Sequence, residues 1–190
     1  MINTQKYIRD NKEKFLSELF QLLRLPSISA DPKYSKDVVA TAEMVRNNLE
    51  KIGLINCKLF ETDGFPIVYG EKIIDSNLPT VLIYGHYDVQ PPDPIDLWKS
   101  KPFEPEIRNE KIYARGACDD KGQFFMHLKA VESMIAAGEL CCNVKFMIEG
   151  EEEIGSENLE IFVKNNKQLL SSDVILISDT GIISNDTPSI

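Results

Sequence analysis

Val81-Leu82-Ile83-Tyr84-Gly85-His86-Tyr87-Asp88 is the stretch on which the reading of this chain turns. A short apolar run that starts after Pro79 and breaks off at polar groups has the pattern of a strand buried on both faces, as in parallel sheets covered by helices. This run ends on an imidazole and a carboxylate. Two later runs end in the same way. Val144-Lys145-Phe146-Met147-Ile148 leads into Glu149 and then Glu151-Glu152-Glu153, and Val174-Ile175-Leu176-Ile177-Ser178 leads into Asp179. In open α/β sheets, ligands gather outside the carboxyl ends of the strands. The three runs therefore aim metal-binding side chains at one edge of a sheet.

Outward from these strands the spacing becomes helical. Ile8, Phe15, Leu16, Leu19, Phe20 and Leu23 predict a helix from about Gln5 to Leu25, stopped by Pro26. Val38, Ala42, Val45, Leu49 and Ile52 predict a second, with Gly53 as its C-cap. Asp119-Asp120 opens a third, with Phe124, Phe125, Leu128, Val131 and Ile135 on one face and Gly138 at its close; Leu159 to Leu170 predicts a fourth. Cys57 to Phe60 and Pro66 to Tyr69 read as strands about the turn Thr62-Asp63-Gly64, and Ile107 to Tyr113 as a hairpin around Asn109-Glu110. Trp98 and Phe103 anchor the proline-punctuated loop from Gln90 to Pro105. Strands alternating with helices give an α/β fold, a mixed and mostly parallel sheet with helices on both faces. Its C-terminal side is expected to be incomplete, because Asn185 to Ile190 reads as a turn leading into a strand.

Composition narrows the classes. With 190 residues and 43% hydrophobic content, the chain can bury a core and makes one domain or part of a larger one. A formal net charge of -9 and the lack of a basic cluster argue against nucleic acid as partner. No apolar run reaches membrane-spanning length, and the N-terminus carries no apolar signal region, so the expected address is the cytoplasm. Cys57, Cys118, Cys141 and Cys142 form no Cys-x-x-Cys pair and read as reduced thiols, with Cys118 small and buried.

The polar residues carry the chemistry. In an extended segment His86 and Asp88 point the same way, and a metal-bound histidine commonly gives its second nitrogen to a carboxylate. Asp119-Asp120 reads either as a helix cap or as a carboxylate bridging two ions, which two-metal hydrolases hold ~3.5–4 Å apart. Glutamates crowded at a buried strand end raise one another's pKa unless a cation offsets them; one can hold metal while its neighbour stays free as a general base. Asp179 taken singly reads as an ordinary loop aspartate, and His127 as a surface or packing residue about two turns into its helix.

Taken together, the order His-x-Asp-Val, Arg-Gly-(small)-x-Asp-Asp-Lys-Gly, Glu-Glu-x-Gly-Ser and Ser-Asp resembles the dinuclear zinc peptidase family of cytosolic nonspecific dipeptidase, carnosinase, aminoacylase and bacterial glutamate carboxypeptidase. The stretch Gly85 to Gln123, with Asp-Val-Gln-Pro, Leu-Trp, Pro-Phe-Glu-Pro and Lys-Ile-Tyr-Ala-Arg-Gly, is most similar to the dipeptidase branch. The resemblance implies His86, Asp119 and Asp179 as ligands of a first metal, Asp119 as the bridge, Glu153 on the second metal and Asp88 orienting His86. It also implies a cis peptide between Asp119 and Asp120. Glu152 would be the general base toward a metal-activated water that cleaves dipeptides or short peptides.

The resemblance implies absences as well. Residues 1–190 correspond to the N-terminal part of the catalytic domain; the family's lid or dimerisation domain and its C-terminal catalytic part, with a further histidine, have no counterpart. Two divalent ions, zinc or alternatively manganese or cobalt, are the family's cofactors, and one complete site is expected here. Family members are usually homodimers. The isolated chain is expected to turn over weakly or not at all; the alternatives are a non-catalytic fragment retaining one metal site and an N-acyl amino acid deacylase.

Overall fold

The apolar runs pair into a five-stranded sheet in the computed structural model, which describes residues 3–184 and Thr187. The strands are β1 (Ile55–Phe60), β2 (Ile67–Lys72), β3 (Thr80–His86), β6 (Asn143–Glu149) and β7 (Val174–Ile177), in the spatial order β1-β2-β6-β3-β7. β2 is antiparallel to both β1 and β6, while β3 is parallel to both β6 and β7. Four of the five strands therefore run one way, with β2 alone reversed. The expected hairpin forms separately from β4 (Glu106–Arg108) and β5 (Lys111–Tyr113). The turn expected over Asn185–Ile190 falls, Thr187 apart, outside the described residues.

Alternation along the strands splits the core in two. Val68, Ile83, Val144, Phe146 and Ile148 face α2 (Lys12–Leu23), α3 (Ser35–Lys51) and α4 (Lys121–Ala137) through Leu22, Val45, Leu49, Phe124 and Leu128. Ile67, Tyr69, Leu82 and Met147 face the opposite way, onto Phe162 of α5 (Leu159–Asn165) and Leu170. Each such side chain, fully buried, contributes about 1.5–3 kcal/mol, so both faces stabilise the sheet. A buried network joins three helices, with Glu18 of α2 accepting from Lys51 of α3 and Lys129 of α4 at 2.6 and 2.5 Å. Among the described residues no helix is long and apolar enough to cross a membrane.

Three expectations change. The first helix is two, α1 (Thr4–Asp10) and α2, because Asn11 breaks it: its side-chain amide donates to Tyr7 O at 2.9 Å, a local bond that competes with helix continuation. Asn166 does the same to Phe162 O at 2.8 Å, so α5 ends at Asn165 and not at Leu170. Cys118 is exposed, since it lies beside Asp119 where the chain crosses the rim of the sheet into α4. Gly53 and Gly138 end α3 and α4 at φ +92 and +69, a conformation that suits glycine.

Candidate metal centre

The carboxyl ends of β3, β6 and β7 lie together because their parallel register puts His86 opposite Glu149 and Tyr84 opposite Ile177. His86 and Asp88 are both fully buried. Tyr87 between them points to the other face and donates to Pro66 O at 2.6 Å. His86 Nδ1 lies 3.2 Å from Asp88 Oδ1 and 3.1 Å from the Asp88 carbonyl, which fixes its proton on Nδ1 in the neutral ring and leaves Nε2 free to bind.

Nε2 faces a ring of oxygens. Asp119 Oδ1 is 3.1 Å away, Asp179 Oδ2 3.6 Å and Glu152 Oε2 3.8 Å. Candidate ligand atoms of His86, Asp119 and Asp179, and likewise those of His86, Glu152 and Glu153, lie within 4.8 Å of one another. The structure thus brings together all six residues singled out in the sequence. Three carboxylates converging on one imidazole nitrogen suit a divalent cation, and a mixed nitrogen and oxygen set accepts zinc, manganese or cobalt alike.

The Asp119–Asp120 peptide is cis, and the two carboxylates part. Asp119 turns outward to the site. Asp120 is buried at the start of α4, yet it does not cap the helix; its Oδ2 accepts from the His86 backbone N–H at 3.0 Å. Gly85 makes room for it, since a Cβ at that position would stand 2.5 Å from Asp120 Oδ2 and 2.8 Å from Phe124 Cβ. Lys121 is wholly buried and donates to the carbonyls of Leu25 and Leu22 at 2.7 and 3.3 Å, holding the end of α2 beneath the site.

The acidic run divides its labour. Glu149 Oε1 accepts from Tyr84 Oη at 2.6 Å and Ser156 Oγ at 3.0 Å, so this glutamate braces the turn beyond it. Glu152 and Glu153 start the short 3-10 turn Glu152–Ile154 and reach the site. The Glu153 carboxylate is held by Gln90, through N at 3.2 Å and Nε2 at 2.8 Å, and its own N–H donates to Asp88 Oδ2 at 3.1 Å.

Electrostatics follow from burial in an acidic setting. Burial pushes the His86 imidazole down, but the bond to Asp88 and the fields of Asp88, Asp120 and Asp179 outweigh it and hold the group at about 10. Burial pushes Asp120 up to about 7 and Glu149 and Glu153 upward. Burial lowers Lys121 to about 7.

Several supporting residues escaped the sequence reading. Ser29 Oγ donates to Asp88 Oδ2 at 2.6 Å, and Ser27 Oγ to Tyr87 O at 2.6 Å, so the segment after Pro26 holds the β3 extension. Two serines spaced one apart after a helix stop were the available signal. Gln90 stood within a quoted motif, without a role. His127, half-buried about two turns into α4, was expected to be a surface or packing residue; its Nε2 lies 2.7 Å from Ser178 Oγ, next to Asp179.

Known proteins share this fold. A cysteinylglycine-S-conjugate dipeptidase of Corynebacterium striatum is 31% identical over 189 residues, which cover 99% of this chain and 42% of that protein. Human carnosine dipeptidase 1 superposes with a TM-score of 0.88 at 29% identity over 95% of this chain and 41% of its own. An M20 family metallo-carboxypeptidase from Sulfolobus solfataricus gives 0.80 at 42% identity over 88% and 38%. The chain spans about two fifths of the length of these relatives. The sequence profile of peptidase family M20/M25/M40 matches residues 82–186, from the middle of β3 past the end of β7. With more than half of its length matched by that profile, the chain belongs to peptidase family M20/M25/M40.

Proposed function

We propose that this chain is the N-terminal part of the catalytic domain of a metal-dependent dipeptidase. The observation that carries the proposal is the convergence of Asp119, Asp179 and Glu152 on His86 Nε2, with distances of 3.1, 3.6 and 3.8 Å. His86, Asp119 and Asp179 would hold a first divalent ion; Asp119 and Glu153 would contribute to a second. Held there, a divalent ion such as zinc, manganese or cobalt would supply Lewis-acid polarisation of the scissile carbonyl and a lowered pKa of bound water.

The chain's own residues do the rest. Asp88 fixes the His86 ring, leaving Nε2 unprotonated in the neutral form. Glu152, half-exposed at the mouth of the cluster, takes the proton from the attacking water and delivers it to the leaving amine. Gln90 keeps Glu153 from swinging into that path. The relatives' names, among them Cys-Gly metallodipeptidase and Beta-Ala-His dipeptidase, support dipeptides as the substrate class. A cytoplasmic address and a homodimer of the whole protein complete the proposal.

Two measurements test it. Calorimetric titration with zinc or manganese should show tight binding that His86→Ala and Asp179→Asn abolish. A dipeptide panel should show hydrolysis, weak in these 190 residues, that falls by about 10²–10⁴ in Glu152→Gln while metal binding persists. Absence of metal uptake, or hydrolysis indifferent to Glu152→Gln, refutes it; cleavage of N-acyl amino acids in preference to dipeptides replaces peptidase by deacylase.

A further inference from the structure

We propose that His127 is a positioning residue: through Ser178 it locks the end of β7 to α4 and so sets where the Asp179 carboxylate stands. This rests on the reading of Asp179 as a metal ligand. The need for a lock follows from the sheet. Among the described residues β7 is a short strand of four residues, paired with β3. Its register ends at Ile177, so Ser178 and Asp179 lie beyond the paired residues.

α4 supplies a firmer reference. Phe124, Phe125 and Leu128 bury it against the sheet, and its start bears Asp119 and Asp120. His127 lies on the same helix and meets Ser178 Oγ at 2.7 Å. One helix thus fixes two carboxylates that converge on His86 Nε2, Asp119 at its N-terminus and Asp179 through the imidazole of His127. Burial lowers the His127 pKa, so the ring is neutral at ordinary pH, and either tautomer can pair with a hydroxyl.

The test is cobalt(II) titration of the 190-residue chain, followed by visible absorption and calorimetry. His127→Leu and Ser178→Ala should each weaken cobalt binding about tenfold and alter the visible bands, as loss of a partner behind a ligand does. The double variant should lose no more than either single one, because both break the same bond. His127→Gln, whose amide can take the place of Nε2, should restore most of the affinity. Ser178→Ala keeps the test valid should His127→Leu misfold. Parent-like affinity and spectrum in both single variants overturn the proposal. So does additive loss in the double variant. A parent chain that takes up no cobalt overturns the metal reading and this proposal together, whereas a parent that binds while the variants bind equally overturns this proposal alone.

Discussion

Gly85→Ala tests the site through a single methyl group. The added Cβ would stand 2.5 Å from Asp120 Oδ2 and 2.8 Å from Phe124 Cβ. Carbon atoms normally approach to about 3.5–4.0 Å, so strand and helix must separate by most of an ångström or Asp120 must withdraw. β3 cannot yield easily, being paired on both sides. Overpacking of this kind costs about 1–3 kcal/mol. Withdrawal of Asp120 adds the bond from His86 N–H, worth about 1.5–3 kcal/mol when the acceptor is charged. A combined loss of roughly 2.5–6 kcal/mol lowers Tm by roughly 5–24 °C in a domain of this size. Thermal unfolding by circular dichroism measures that loss, and zinc titration should show weaker binding because His86 shifts with its strand. A variant whose Tm lies within about 2 °C of the parent, with unchanged zinc affinity, would refute the packing argument.

Metal binding should be coupled to protons. His86 stays protonated up to about 10 in the metal-free chain, so an ion binding near neutrality displaces about one proton, and affinity climbs as pH rises toward that value. Calorimetry in two buffers of different ionisation enthalpy reads this directly, and equal heats would exclude it. In the metal-free chain the same shift, upward from 6.5, makes the His86 contribution to stability whole below 6.5 and lost as pH rises through about 10. Lys121 runs the other way: lowered from 10.5, its contribution is whole above 10.5 and lost as pH falls through about 7. On β7, Ile175→Lys replaces a side chain that is 61% exposed, so it should cost less than about 0.5 kcal/mol, read as a Tm close to that of the parent.

The strands were legible because a doubly covered sheet writes itself as largely apolar runs, and Val81–Gly85 and Val144–Ile148, the latter interrupted only by Lys145, are two such runs. Their edge was legible because the ligands follow each run directly. What resisted was anything set by competition within one turn. Asn11 and Asn166 break helical periodicity through bonds to their own backbones, and apolar spacing carries no mark of that. The residues behind the ligands resisted for a different reason. Ser29 is bonded to Asp88 across 59 positions and His127 to Ser178 across 51, pairings that exist only once the sheet has formed. Glu149 seemed interchangeable with its acidic neighbours until Tyr84 and Ser156 were found holding it.

The alternation at His86-Tyr87-Asp88 has a consequence for how such a chain can vary. Imidazole and carboxylate share a side only because one residue separates them, and Tyr87 fills the opposite side down to Pro66. Substitution here degrades the arrangement by degrees. Inserting or deleting one residue would swap a phenol for a carboxylate wholesale, so at this point the chain is bound to its length more strictly than to its spelling.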